Sequence, residues 1–254
     1  MPKFYELSSS NLIFYAVVHS TTNEIFIINP AKSQYPCVVI LFDKSDDSII
    51  LQSLSHFDFC SVNINLPQKT GTVTMMRTAL TFARRVMDAR KITVELDDRS
   101  GFRDLALGVD IDLGTRDLFM YGKTWHQQHI GFEIKPIERQ WRRHLKAIQK
   151  ALQRHKPSFE VPSGNKNRVC LDEIPKFMAK HDLTWQQGVA WKGVMDTNLV
   201  DDLHVRQVTS KKEQDALMTR QGRKFFTGGN AIAAAEWASR RATRITSKER
   251  GPLP

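Results

Sequence analysis

His56-Phe57-Asp58-Phe59-Cys60-Ser61-Val62-Asn63-Ile64-Asn65-Leu66 alternates apolar and polar residues until Pro67, where a different period takes over. Alternation with a period of two marks a strand buried on one face. Beyond the proline, Val73, Met76, Leu80, Ala83 and Met87 recur every three or four residues, with Arg77, Thr81, Arg84 and Arg85 mostly on other faces. That stripe predicts an amphipathic helix over 72–88. Lys91-Ile92-Thr93-Val94-Glu95-Leu96 follows at once as a strand. Strand, helix and strand over 56–97 make a βαβ unit, whose two strands should be parallel and joined by a right-handed crossover.

Upstream of this unit, Leu12–Val18, Glu24–Ile28, Cys37–Leu41 and Ser48–Leu54 are rich in Val, Ile and Phe. The polar turns Ser20-Thr21-Thr22-Asn23 and Lys44-Ser45-Asp46-Asp47 separate some of them, which predicts an antiparallel meander. Downstream, Asp97-Asp98-Arg99-Ser100-Gly101 reads as a loop and Asp117–Gln128 as a short helix. Over 138–154 the residues Trp141, Leu145, Ile148 and Leu152 form one apolar line, and Arg139, Arg142, Arg143, Lys146, Lys150 and Arg154 fill the opposite arc. Lys156–Asn165, with two prolines and a glycine, is a linker. Ser210-Lys211-Lys212-Glu213 has capping-box spacing, opening a helix expected to run to about Gly222, and Asn230 caps an Ala-rich segment over 231–244. The expected fold class is therefore α/β (α+β). Its layout is a mixed-sheet domain over 1–135 with a βαβ core, a basic amphipathic helix over 136–155, a linker over 156–168 and a helical basic C-terminal module over 169–254.

The 254 residues suit one large domain or two small ones, and 41% hydrophobic with 25% charged residues is an ordinary globular balance. No apolar run approaches the roughly 18 residues of a membrane span, and the polar start Met1-Pro2-Lys3-Phe4-Tyr5-Glu6 opposes a secretory signal. A soluble intracellular protein, cytoplasmic or nuclear, is expected, without a membrane partner. Cys37, Cys60 and Cys170 are odd in number and widely spaced, so reduced thiols are expected rather than a disulfide framework or zinc ribbon. The net charge of +10 is concentrated: residues 1–135 hold 14 Lys/Arg and 15 Asp/Glu, residues 136–254 hold 23 and 12. Such asymmetry suggests a basic module facing nucleic acid or another anionic partner.

Chemistry concentrates at few places. Gln68-Lys69-Thr70-Gly71-Thr72 lies where strand hands over to helix, so its amides and the helix dipole make an anion site able to hold a pyrophosphate. An ordinary turn is the competing reading, since neither G-x-x-x-x-G-K-[S/T] nor G-x-G-x-x-G is present. His56, Asp58 and Cys60 share a strand face, but about 13 Å between the first and last excludes a nucleophile–base pair at about 3.3 Å per residue. His126 and His129 lack a third ligand of suitable spacing, so no metal is expected. Glu95, Asp97 and Asp98 end a strand, where a carboxylate serves as a general base or simply a turn-capping group.

The strand 57–66, the turn Gln68–Thr72, the helix 72–88, the strand 92–96 and the segment Tyr121-Gly122-Lys123-Thr124-Trp125-His126-Gln127-Gln128-His129-Ile130-Gly131-Phe132 together resemble the core of GNAT-type N-acetyltransferases, and more narrowly GNAT-like proteins of large DNA viruses. The resemblance covers about residues 54–134. It implies a mixed sheet splayed at its centre, with acetyl-CoA wedged between strands and its pyrophosphate on the amides of a Q-x-x-G-x-G/A turn. Gln68 matches the first position of that turn and Gly71 the fourth; Val73 stands at the sixth, where the family has Gly or Ala. Gln68, Lys69, Thr70, Gly71 and Thr72 are then the cofactor-binding residues. Glu95 or Asp97 is the base, and His126 is the titratable side chain near the place of the family's general-acid tyrosine, with Tyr121 about one helical turn early.

Three functions are compatible with these residues. One is an acetyl-CoA-dependent N-acetyltransferase. Another is a catalytically degenerate GNAT fold serving as a virion, minor capsid or assembly protein in a larger viral assembly. The third is a nucleic-acid-binding protein without sequence preference, working through 138–154 and 211–250. The same basic face would also attract an acidic protein surface, with the Trp141–Leu152 line docked on that partner.

Overall fold

The computed structural model describes residues 2–9, 12–28, 36–54, 68–98, 101–104, 109–155, 168–183 and 189–217. It is a mixed α+β protein whose strands pair mostly antiparallel. The chain forms two compact units, 1–95 with 194–254 (unit 1) and 96–193 (unit 2).

Unit 1 begins with β1 (Lys3–Ser9), β2 (Leu12–His19), β3 (Glu24–Ile28), β4 (Val38–Asp43) and β5 (Ser48–Leu54). These five strands pair in order as an antiparallel meander, with Tyr5 opposite Ala16, Val17 opposite Phe26 and Ile25 opposite Ile40. Between Val39 and Ile40 the register against β5 shifts, a bulge of the kind that bends a strand. Asn23 and Asp47 turn the chain with positive φ, 55° and 51°, a conformation that Asn and Asp tolerate better than other non-glycine residues.

α1 (Gln68–Met87) follows, then β6 (Ile92–Asp98), whose residues beyond Glu95 belong to unit 2. β6 lies beside β5, and the amide of Thr93 donates to the carbonyl of Asp47 at 2.8 Å. That bond joins the N-terminal ends of both strands, so they run parallel, with α1 as the crossover. The βαβ unit exists, but its described first strand is β5; the strand expected over 57–66 lies outside the described residues. The loop expected over 97–101 is shorter, because β6 extends to Asp98.

Most of the predicted stripe of α1 is buried, with Met76, Leu80 and Ala83 fully so, Met87 nearly so and Val73 half-buried, but the buried face is wider and takes in Phe82 and Thr81, the latter expected on another face. The helix packs across β4, and the Phe82 ring meets Tyr5 of β1 with centroids 5.2 Å apart. Alternation places Tyr5 and Ala16 on the helix side of the sheet. Phe4, Val17, Phe26, Ile28 and Val39 form a second buried cluster from the other set of the alternation.

Unit 2 contains β7 (Gly101–Asp104) and β8 (Val109–Asp112), an antiparallel ribbon, then α2 (Leu113–Tyr121), α3 (Trp125–Ile130), β9 (Ile134–Pro136), α4 (Arg139–His155), α5 (Arg168–Lys180) and most of β10 (Val189–Met195). The single helix expected over 117–128 is two. Gly122, with φ 69°, ends α2 and returns its N–H to the Leu118 carbonyl. A side chain rarely adopts that φ, so glycine sets the break. Thr124 then opens α3 through a reciprocal capping box with Gln127. At the core of this unit Phe119, Ile148, Ile174 and Met178 cluster, bringing α2, α4 and α5 together.

β10 and β9 pair antiparallel with Gly193 opposite Ile134. A Cβ on Gly193 would lie 2.3 Å from Ile134 Cγ2, 2.6 Å from the Phe132 ring and 2.9 Å from the Glu133 carbonyl oxygen. Gly193→Ala is therefore expected to destabilise the protein by about 1–3 kcal/mol, the usual cost of forced overpacking. A denaturation midpoint equal to wild type would show that β9 yields freely.

The chain returns to unit 1 through β11 (His204–Val208) and α6 (Lys211–Ala216). β11 pairs antiparallel with β1, Phe4 opposite Val208, and Arg206 bridges to Glu6 at 2.8 Å and Glu213 at 3.4 Å. Two strands therefore stand in the region 169–254 that was expected to be helical. α6 has the Ser210 N-cap but ends at Ala216, not near Gly222, and the segment 231–244 lies outside the described residues, as do linker residues 156–167. Cys37 is buried and disulfide-bonded, which corrects the expectation of reduced thiols throughout; its partner lies outside the described side chains. Among the described residues no helix is long and apolar enough to cross a membrane.

Candidate functional site

α1 begins at Gln68, four residues before the position expected from the hydrophobic stripe. Gln68, Lys69, Thr70 and Gly71 are therefore its first turn and not a turn preceding it. Amides at the head of a helix have no carbonyl four residues back and face outward. Gln68, Lys69 and Thr70 hold such positions. Thr72 and Val73 sit where their amides donate to the carbonyls of Gln68 and Lys69, so these two amides are used within the helix. No acidic residue occupies the first turn, which leaves the positive end of the helix dipole without a neutralising carboxylate of its own.

A helix linking two parallel strands runs back antiparallel to them, so within unit 1 α1 starts at the level where β5 ends and finishes where β6 begins. Glu95 is the fourth of the seven residues of β6, at mid-strand, in unit 1 and half-buried, while Ile92 and Val94 alternate with it and are fully buried. Asp97 is two residues further along, in unit 2. His126 also belongs to unit 2, on α3, half-buried with its ring edge-on to Trp125 at 5.2 Å. The candidate set thus divides: α1 and Glu95 in one unit, Asp97 and His126 in the other. His129 meets Trp125 at 5.0 Å, and among the described residues no three His, Cys, Asp or Glu side chains form a metal-binding group.

The far end of α1 shows contacts that sequence reasoning missed. Arg84 donates to the carbonyls of Ala89 and Arg90 and to Asn198 Oδ1 at 2.9 Å, Arg85 donates to the Leu203 carbonyl at 2.5 Å, and the Leu199 amide donates to Thr81 Oγ1. Cations in the last turn also suit the negative end of the dipole. The arginines were visible in sequence; the distant acceptors Asn198 and Leu203, more than a hundred residues away, were not.

The basic helix is α4, and Arg139, Arg142, Arg143, Lys146, Lys150 and Arg154 are all exposed on it. Its apolar line does not await a partner protein: Trp141 and Ile148 are buried and Leu152 packs on the Phe119 cluster within the same unit. At its end, the His155 ring stacks on His181 at 4.1 Å, beside Phe177. Desolvation, then the charges of His155 and Lys180, lower the His181 pKa below 6.5, and Asp182 opposes them. The unfolded chain then takes up this proton more readily than the folded one, so stability falls as pH drops below about 6.5 and levels off beneath the depressed native value. His181→Gln should flatten that acid limb in thermal unfolding; an equally steep limb in the variant would assign the dependence to other groups.

No family model matches the chain, and no curated protein or solved structure matches it.

Proposed function

We propose that the chain is a GNAT-like protein that binds acetyl-CoA and transfers its acetyl group to an amine. One observation supports the reading above the others: the parallel crossover β5–α1–β6 has Gln68-Lys69-Thr70-Gly71 as the first turn of its helix and carries Glu95 on its second strand. The first-turn amides, in a turn that contains no acidic residue, fit a pyrophosphate. The cofactor would supply an acetyl group activated as a thioester.

The amides of Gln68, Lys69 and Thr70 hold the diphosphate, and Gly71, without a side chain, lets it approach the backbone. Glu95 would take a proton from the incoming ammonium through water, leaving a neutral amine; the amide C–N bond forms as the thioester C–S bond breaks, and the nitrogen's second proton passes through water to the departing thiolate. Positioning carries much of such a reaction, so few side chains are needed. Asp97 and His126, in unit 2, have no part in this assignment.

Calorimetric titration of the full chain with acetyl-CoA and with desulfo-CoA is the test. Micromolar binding of both supports the reading. Silence at millimolar concentration overturns it and leaves a GNAT-like scaffold reused in an assembly.

A further inference from the structure

We propose that the exposed side of α4 binds the phosphate backbone of nucleic acid. From Arg139 to His155 the helix contains no acidic residue. Its six cations, Arg139, Arg142, Arg143, Lys146, Lys150 and Arg154, are exposed, and among the described residues none of them makes an ion pair or a side-chain hydrogen bond. Glu138, just before the helix, is bonded by Gln140 at 2.7 Å and stands outside the arc.

The opposite side fixes how these charges are presented. Trp141 and Ile148 are buried, and Ile148 sits in the cluster of Phe119, Ile174 and Met178, so the helix cannot roll its cations inward without opening the core of unit 2. The charges are thus held on a rigid rod. At about 1.5 Å per residue the arc from Arg139 to Arg154 is about 22 Å long, or roughly one cation per 4 Å. One strand of duplex DNA carries a phosphate per about 3.4 Å of helix axis. The two line densities nearly match, which favours a continuous polyphosphate over the scattered carboxylates of an acidic protein surface. Four of the six are Arg, whose planar fork suits phosphate oxygens. Contacts of this kind go to the backbone and carry no base readout, so binding should be indifferent to sequence.

The experiment uses the full chain and a random-sequence duplex DNA of 20 base pairs, read by fluorescence anisotropy over a salt series. Binding is expected at about 50 mM salt, with log K falling linearly against log salt at about −0.9 per phosphate neutralised. Changing Arg142, Arg143, Lys146 and Lys150 together to Gln should make that slope about three to four units shallower. The affinity lost between about 50 and 200 mM salt then shrinks by a factor of about 150. All four positions are exposed, so the thermal midpoint should hold, and a second variant, Arg142→Lys with Arg143→Lys, should keep the original slope. An unchanged slope in the Gln variant overturns the proposal by moving the binding elsewhere. Failure to bind duplex at about 50 mM salt overturns it too, as does binding of polyglutamate in preference to the duplex. Acetyl-CoA titration of the Gln variant should match wild type, so failure here is distinct from failure of the cofactor reading.

Discussion

Phe82→Ala is expected to cost unit 1 about 3–5 kcal/mol of stability. Phe82 is 1% exposed at the centre of α1, among Met75, Met76, Ala79, Leu80 and Ala83, all at 2% or less. Its ring is also the one that meets Tyr5, the two planes tilted by 60°. Truncation removes the burial of a large aromatic and leaves a cavity that its close-packed neighbours fill only in part. Against a typical total of 5–15 kcal/mol such a loss leaves little margin. Guanidinium unfolding with the m-value held gives the measurement, and a midpoint within error of wild type would dismiss the helix–sheet contact as the core of the unit. A double-mutant cycle with Tyr5→Ala should return about 0.5–1.5 kcal/mol of coupling for the ring pair.

Gly71→Glu should abolish acetyl-CoA binding while leaving the fold intact, with affinity falling on the order of 100-fold or more, about 2.7 kcal/mol. The separation of the two effects follows from where Gly71 stands. In the first turn of α1 a glutamate gains about 1 kcal/mol of helix propensity over glycine, and its charge is favourable to the dipole by about 0.3–1 kcal/mol. The same carboxylate meets a diphosphate as a like charge and occupies the space that the missing Cβ leaves open. Thermal unfolding should show equal or higher stability, and calorimetry should show the loss. Unchanged affinity would take the head of α1 out of the cofactor site.

Much of the local structure was legible because it is written in short-range patterns. Leu12–Val18, Glu24–Ile28 and Ser48–Leu54 coincide with β2, β3 and β5 to within a residue, since β-branched runs between polar turns leave the backbone little alternative. The basic helix expected over 138–154 is α4, shifted by one residue, because a 3.6-residue stripe of Trp141, Leu145, Ile148 and Leu152 has only one regular solution. Boundaries were read less well. Gly71 looked like the turn before a helix, yet a first-turn residue needs no carbonyl four residues back, and glycine is tolerated there. Gly122 looked like an interior residue of one helix, and its positive φ makes it the joint between two.

Of the candidate site, the sequence alone determined the kinds of group available: a Gln68–Gly71 segment rich in exposed amides, the carboxylate of Glu95, and a run of cations with an apolar stripe behind it. Which of them act together was decided by tertiary structure. Pairing of Phe4 with Val208, or of Ser9 Oγ with Asp202 Oδ1 across 193 residues, has no local signature, so β1 and β11 and the acceptors of Arg84 and Arg85 could not be read along the chain. The parallel crossover keeps α1 and Glu95 in one unit, while Asp97, two residues on, falls in the other. The stripe of α4 carried no address, and the Phe119 cluster supplied one inside unit 2. Periodicity states that a face must be buried; only the complementary shape of a distant segment states against what, because burial is non-directional and rewards any apolar surface that fits.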